Sequence, residues 1–177
     1  MKLYFVRHGH MSATPETALD PGVGQINEPL SEDGVQQANA LAEELKDVHF
    51  DVILSSALKR ANQTAEIINK YHGLTVTIDD TWRERDTGGY VNAEIWNDLF
   101  NFDKNFLPEN TEDLRAFFQR IYTALDALKD TYGDKTVLVT SHGGVHQAVY
   151  AYANNLPLVG NVRNSPLRNC EFKIYEL

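Results

Sequence analysis

Short apolar runs that end in polar turns, with a helix-like stripe after each turn, constrain the fold of this chain most. Residues 3–6, 52–54 and 137–139 are such runs, and they consist largely of residues that favour strands. Each is long enough for one buried strand and too short for a helix. Strands that alternate with amphipathic helices predict an α/β fold, a three-layer αβα sandwich with a mostly parallel central sheet.

Apolar residues at helical spacing separate these strands. Ser31 is the predicted cap of the first helix, which has Val35 on its buried stripe. Thr111 is the predicted cap of the longest helix, and Gly133 its end. The other predicted elements are a strand over residues 75–78, a short helix around 95–102, a helix over 145–152 and a last strand over 171–174.

Length and net charge limit the classes of protein to which this chain can belong. The 177 residues are expected to form a single domain over residues 1–177. A net charge of −9 opposes binding to nucleic acid or to an anionic membrane, and no apolar run approaches the ~18 residues of a spanning helix. Cys170 is the one cysteine and the N-terminus does not resemble a secretory signal, so a soluble cytoplasmic protein is expected.

Polar residues that suit phosphate chemistry follow three of the strands. Arg7 and His8 follow the first, Arg60 lies shortly after the second, and His142 follows the last parallel strand. Ligands of such sheets bind beyond the carboxyl ends of the strands, so these segments are expected to meet. A neutral imidazole can attack phosphorus, while guanidinium groups and a protonated imidazole bind phosphate oxygens.

Four separated motifs make the chain resemble the histidine phosphatase superfamily, with its phosphoglycerate mutase-like fold. They are Arg7-His8-Gly9, the segment from Pro29-Leu30-Ser31 to Gln37-Ala38, the segment from Ser55-Ser56 through Arg60 to Ala65, and Ser141-His142-Gly143-Gly144. The match extends in order over essentially the whole chain. The resemblance implies a metal-independent phosphatase that needs no cofactor and hydrolyses a small phosphate monoester through a phosphohistidine.

Residue roles also follow from this resemblance. It implies that His8 is the nucleophile, that Arg7, Arg60 and His142 form the phosphate pocket, and that Glu84 is the proton donor. Gly9, Asn27 and Gly143 fall at substrate-binding positions, and His10 and His146 are predicted to line the pocket. Tyr90, Trp96, Asn97 and Phe102 are further candidates for an acceptor pocket, although core packing is the more natural role of Trp96 and Phe102.

The chain departs from the family pattern around these residues. His10-Met11 replaces the usual acidic or amide residue and hydroxyl residue, and Thr14 replaces an asparagine. Asn27 stands where aspartate is common, and Asn92 where glycine is. These departures put the identity of the substrate in doubt more than the class of reaction.

Several alternatives remain open. The same residues could serve a phosphoglycerate mutase, although only 58 positions separate Glu84 from His142 and family mutases generally carry a longer insertion there. A phosphohistidine protein phosphatase, or a binding protein without activity, is also compatible. The spacing of His8 with His10 and of His142 with His146 leaves a histidine-rich metallohydrolase as a rival, although no glutamate lies between His142 and His146 as a metalloprotease motif requires.

Overall fold

The computed structural model describes residues 1–11, 25–88, 98–104 and 109–177. The elements, in chain order, are β1 (Lys2–Arg7), α1 (Glu32–Leu45), β2 (Val52–Ser55), α2 (Lys59–Asn69), β3 (Val76–Ile78), a 3₁₀ turn (Asp80–Trp82), α3 (Leu114–Tyr132), β4 (Thr136–Ser141), α4 (Gly143–Ala153) and β5 (Phe172–Glu176). Of the short helix predicted around residues 95–102, residues 95–97 lie outside the described residues, residues 98 and 99 are helical, and the chain turns at Phe100.

The described strands form one five-stranded sheet in the order β3-β2-β4-β1-β5. Neighbours are parallel except β5, which runs antiparallel to β1 at the edge. The register of β1 and β4 pairs Lys2 with Thr136 and Arg7 with Ser141, so the two strands end side by side. The predicted mostly parallel sheet is therefore confirmed, and the residues that follow β1 and β4 leave the sheet at the same edge.

Helices cover both faces of the sheet. Alternate residues of β1 point to opposite faces, so Tyr4 and Val6 pack with the apolar stripes of α1 and α2, while Leu3 and Phe5 pack with those of α3 and α4. Burying each large side chain of this kind contributes about 1.5–3 kcal/mol to the free energy of folding. The three-layer αβα arrangement predicted from the sequence is confirmed.

Local sequence patterns predicted some residues of α1 and α3 correctly and others wrongly. Ser31 caps α1 as predicted, with its hydroxyl accepting from the Gly34 N–H at 3.0 Å, and Gly133 caps the end of α3. The prediction for Thr111 was wrong: Asp113 caps α3, and Thr111 instead donates to the Thr87 carbonyl at 3.2 Å. Val35 was also misplaced, because its side chain lies on the outer side of α1 and is 39% exposed.

No helix in the described parts of the chain combines the length and apolarity needed to cross a membrane.

Candidate active site

The two histidines meet because β1 and β4 are adjacent and parallel. The His8 N–H continues the ladder by donating to the Ser141 carbonyl at 2.9 Å, and His142 follows directly as the N-cap of α4. The ring centroids of His8 and His142 lie 5.1 Å apart, and both side chains are buried. The convergence of these strand ends follows from the strand order.

The ring of His8 is fixed in one tautomer. Its Nδ1 lies 2.7 Å from the Gly9 carbonyl oxygen, which can only accept, so Nδ1 carries the proton and Nε2 the lone pair. Burial, and then the positive charges of Arg60 and Arg7, hold the pKa of His8 well below its ordinary value. His8 is therefore neutral around neutral pH, with a nucleophilic nitrogen facing the other site residues.

Arg60 lies between the two histidines at the start of α2. Its Nε donates to His8 Nε2 at 3.2 Å, and its Nη2 lies 3.3 Å from His142 Nδ1. Burial lowers the pKa of Arg60 to about 10, which leaves the guanidinium charged at neutral pH. One guanidinium group therefore contacts both rings, and forked donors of this kind bind phosphate oxygens well.

His142 is held from its far side by Ser56. His142 Nε2 and Ser56 Oγ lie 2.8 Å apart, which leaves Nδ1 directed at Arg60. The pKa of His142 is held well below its ordinary value, first by burial and then by the charge of Arg60. A phosphate dianion beside the ring would oppose the second effect, so the charged His142 expected from sequence requires an anion nearby.

Arg7 completes the positive part of the site. Its Nη1 donates to the Leu167 carbonyl at 2.6 Å, while its Nε is buried and has no hydrogen-bond partner among the described residues. The guanidinium packs on α4 where Gly143 lies, because a Cβ added there would be 3.6 Å from the Arg7 Cζ atom. Arg7 thus retains a donor whose burial is costly unless it binds an acceptor.

The Glu84 carboxylate is buried beside this group. Its two oxygens accept from the backbone N–H groups of Arg85 at 2.9 Å and Gly144 at 2.8 Å. Burial raises the pKa of Glu84, and this effect outweighs those two bonds and the charges of Arg60 and Arg7, all of which lower it. A buried carboxyl with a raised pKa can carry a proton closer to neutral pH than a solvated one.

Arg85 fixes the segment that carries Glu84, a role that the sequence did not indicate. Its fully buried side chain donates to the Leu99 carbonyl and, from Nε at 2.9 Å and Nη2 at 2.7 Å, to the Glu112 carbonyl. The Glu112 carboxylate in turn forms an ion pair with Arg120 at 2.9 Å. The side-chain hydrogen bonds of Arg85 therefore go to the Leu99 and Glu112 carbonyls.

Some predicted site residues make contacts outside this cluster. The Gly9 N–H donates to Thr64 Oγ1 at 3.1 Å, and a Cβ there would lie 2.7 Å from the Gly34 carbonyl. The exposed Asn27 accepts from the Lys59 N–H at 2.8 Å, at the start of α2. Gly9 therefore joins the end of β1 to α1 and α2, whereas Asn27 joins the segment before α1 to the start of α2.

His10 and His146 also form their hydrogen bonds outside this cluster. His10 is exposed, with Nδ1 3.0 Å from the hydroxyl of Ser31. His146 is buried in α4, with Nδ1 2.8 Å from the Ser165 carbonyl and Nε2 2.7 Å from the Tyr175 hydroxyl. Neither ring has a described hydrogen bond to His8 or His142, so the expectation that both line the pocket gains no support from these contacts.

The candidate acceptor residues are only partly described. Tyr90, Trp96 and Asn97 lie outside the described residues, as do Thr14 and Asn92. Phe102 packs edge-on against Phe118 with ring centroids 5.2 Å apart, which is a packing role.

Two further residues near the site were not singled out from the sequence. The Asn169 amide donates to the His8 carbonyl at 2.9 Å, and Arg163 is exposed with its charge close enough to interact with Glu84 and Arg7. Asn169 lies just before β5, the antiparallel neighbour of β1. A polar residue at that position necessarily meets the carboxyl end of β1, so the topology could have identified it.

Comparison with known proteins places the chain in a family. A sequence model of the histidine phosphatase superfamily (branch 1) matches residues 3–177. The chain belongs to the histidine phosphatase superfamily. It is 32% identical to PhoE of Bacillus subtilis (strain 168), described as an uncharacterized phosphatase, over 170 residues that cover 94% of this chain and 86% of the relative.

Two other similarities agree with this assignment. The adenosylcobalamin/alpha-ribazole phosphatase of Escherichia coli (strain K12) is 29% identical over 167 residues, which cover 89% of this chain and 81% of that protein. The structure of mycobacterial glucosyl-3-phosphoglycerate phosphatase complexed with VO3 superposes with a TM-score of 0.83 at 25% identity, over 98% of this chain and 90% of that one. The phosphoglycerate mutase-like fold expected from the sequence is therefore confirmed.

The geometry of this histidine phosphatase does not favour the metallohydrolase alternative. The Arg60 guanidinium lies between His8 and His142, and a permanent cation there opposes a metal cation at the same place. Both ring nitrogens of His146 already have protein partners. Within the described ranges, no group of three or more His, Cys, Asp or Glu side chains is arranged to hold a metal ion.

Proposed function

We propose that this histidine phosphatase hydrolyses a small phosphate monoester through a phosphohistidine formed at Nε2 of His8. The observation that carries the proposal is the state of that ring. The Gly9 carbonyl holds the proton on Nδ1, and burial, together with the neighbouring cations, lowers the pKa of the ring so that Nε2 stays unprotonated. Such a nitrogen is a competent nucleophile at neutral pH.

Arg7, Arg60 and His142 would bind the phosphoryl group during this reaction. Arg60 already reaches both histidines, and the buried Nε of Arg7 is a donor that an oxygen of the substrate would satisfy. The bound dianion would favour protonation of His142 Nδ1, which then donates to a third oxygen. Donors of this kind act most strongly as charge develops in the transition state.

Glu84 would move the protons of both steps. In the first step His8 Nε2 bonds to phosphorus, the ester P–O bond breaks, and the Glu84 carboxyl protonates the departing oxygen. In the second step the carboxylate takes a proton from water, the hydroxide bonds to phosphorus, and the P–N bond breaks with its electron pair returning to Nε2. The raised pKa of Glu84 supports a carboxyl that is available in both forms.

Trapping of the intermediate tests this proposal. Brief exposure to a phosphate donor labelled in its phosphoryl group is expected to leave an acid-labile, base-stable label on the protein, and His8→Ala is expected to abolish it. His49→Ala is a suitable control, because this histidine is exposed and its Nε2 lies 3.6 Å from Asp51 Oδ1. Retention of the label in His8→Ala would contradict the proposal.

The reaction products separate the phosphatase from its alternatives. A phosphatase releases inorganic phosphate in proportion to substrate consumed, whereas a mutase returns the phosphoryl group to a second hydroxyl of a phosphoglycerate. A protein phosphatase would act on phosphohistidine in a protein in preference to small esters. A panel of phosphorylated metabolites, assayed with and without chelator, tests the substrate class and the expected independence of metal, and fractionation of cells tests the expected cytoplasmic location.

A further inference from the structure

A short segment before β5 holds the end of β1 in place. Residues 165–170, here called the C-terminal strap, contact both Arg7 and His8. The Leu167 carbonyl accepts from Arg7 Nη1 at 2.6 Å, and the Asn169 amide donates to the His8 carbonyl at 2.9 Å. The Cys170 N–H donates to the Arg7 carbonyl at 3.0 Å. The strap therefore fixes one guanidinium nitrogen and two backbone carbonyls of the Arg7-His8 pair.

The other end of the strap is held by two neighbouring residues of α4. His146 Nδ1 donates to the Ser165 carbonyl at 2.8 Å, and Gln147 Nε2 donates to the same oxygen at 2.9 Å. The Ser165 N–H donates back to Gln147 Oε1 at 3.1 Å. Three hydrogen bonds thus fix the backbone of Ser165 to α4, the helix that His142 caps.

A neutral histidine suits this position. With Nδ1–H donating to Ser165, Nε2 accepts from the Tyr175 hydroxyl at 2.7 Å, so both ring nitrogens are satisfied. Burial lowers the pKa of His146 to about 4, and the ring is uncharged at neutral pH. An aliphatic side chain of similar size would leave a buried carbonyl and a buried hydroxyl with fewer partners, which is costly.

We propose that His146 and Gln147 are positioning residues, which hold Arg7 and His8 in their productive geometry by fixing the C-terminal strap. This inference rests on the proposed function, because it assumes that Arg7 binds phosphate and that His8 attacks it. It gives His146 a role that acts through the strap and not by contact with the substrate.

Binding of inorganic phosphate and turnover of p-nitrophenyl phosphate test this role together. His146→Leu removes both ring hydrogen bonds and is expected to weaken phosphate binding about 10-fold, with kcat also reduced, because small displacements of site groups are costly. His146→Asn places an amide nitrogen near the position of Nδ1 and is expected to recover most of the binding. Tyr175→Phe leaves the bonds to Ser165 intact and is expected to retain near-normal phosphate affinity.

A matched control separates positioning from general loss of stability. Leu128→Ala creates a cavity in the core at α3, away from the strap, and is expected to lower the unfolding temperature while leaving phosphate affinity unchanged. If His146→Leu does not fold, Gln147→Ala applies the same test by removing two of the bonds to Ser165.

The outcomes distinguish this inference from the proposed function. A wild-type protein that neither binds phosphate nor forms a phosphoenzyme overturns the proposed function. A wild-type protein that does both, with phosphate affinities of His146→Leu and Gln147→Ala equal to that of Leu128→Ala, overturns the positioning role alone. Equal losses of affinity in His146→Leu and His146→Asn also overturn it, since the bond to Ser165 would then not matter.

Discussion

The Glu84 carboxylate accepts a hydrogen bond from the Gly144 N–H at 2.8 Å, which ties the candidate proton donor to the first turn of α4. That helix begins immediately after His142, one of the candidate phosphate ligands. Glu84 and His142 come from segments far apart in sequence, and this bond joins them, together with the bond that the Ser141 hydroxyl donates to the Trp82 carbonyl at 2.7 Å. The absence of a side chain at Gly144 makes the approach possible, because a Cβ there would lie 2.2 Å from Glu84 Oε1.

Replacement of Gly144 by alanine is expected to displace Glu84. The added Cβ would also lie 2.6 Å from Phe100 Cζ, so the carboxylate, the ring or the helix must move. A displacement near 1 Å at a catalytic group lowers kcat by up to about 100-fold. Gly143→Ala is the matched comparison: its Cβ would lie 3.6 Å from Arg7 Cζ, an ordinary contact, and a much smaller loss is expected. Equal kcat values for the two variants would contradict this prediction.

Glu84→Gln is expected to impair the hydrolysis of alkyl phosphates more than that of p-nitrophenyl phosphate. An alkoxide leaves poorly unless it is protonated, whereas p-nitrophenolate leaves readily without a proton. Loss of a general acid costs about 10²- to 10⁴-fold for a substrate that depends on it. The measurement is kcat/KM for both esters in both proteins. Equal losses for both esters would indicate that Glu84 does not protonate the leaving group.

The same substitution is expected to change how the stability of the protein depends on pH. Burial raises the pKa of Glu84 in the folded protein, so the ionised carboxylate is less favourable there than in the unfolded chain. The stability associated with the protonated form is fully present below the unfolded pKa and is lost as pH rises through the folded pKa. Glu84→Gln removes this loss, so its unfolding temperature relative to that of the wild type should be higher at pH ~8 than at pH ~4. The substitution also has a cost that does not depend on pH, because the amide NH2 group cannot accept one of the two backbone N–H bonds. A difference that does not depend on pH would contradict this argument.

The sequence predicted the elements whose signals are local. The β1 and β4 strands were identified from continuous apolar runs, and Ser31 from the polar residue before a helical stripe. The meeting of His8 with His142 then followed from strand order, since parallel neighbours end at one edge. No tertiary information was needed for these inferences.

Other features depend on contacts that no local pattern contains. The sequence predicted that His146 lines the pocket, whereas the hydrogen bonds of its buried ring go to Ser165 and Tyr175, which are distant from it in sequence. The burial of Arg85 depends likewise on the carbonyls of Leu99 and Glu112, which satisfy its donors. The environments of His146 and Arg85 therefore depend on long-range polar contacts, which the apolar pattern of the sequence does not reveal.

Removal of the Arg60 charge is expected to change how activity depends on pH. Burial, followed by Arg60 and Arg7, lowers the pKa of His8, and the proposed nucleophile must be neutral. Arg60→Gln removes one of those positive charges, so the pKa of His8 should rise and more of it will be protonated in mild acid. The acid limb of the pH profile of kcat/KM should therefore move to higher pH. In addition, kcat/KM at the optimum should fall about 10²- to 10³-fold, because the donors of Arg60 are missing.

Arg60→Lys separates the charge of Arg60 from its geometry. Lysine retains the positive charge but lacks the planar fork that reaches both histidines, so activity should fall while the acid limb stays close to that of the wild type. The comparison uses profiles of kcat/KM from about pH 4 to 8, the range in which a histidine titrates. Ionisation of the substrate affects all three proteins alike. An acid limb that moves equally in both variants would show that the forked hydrogen bonds, and not the charge, keep His8 neutral.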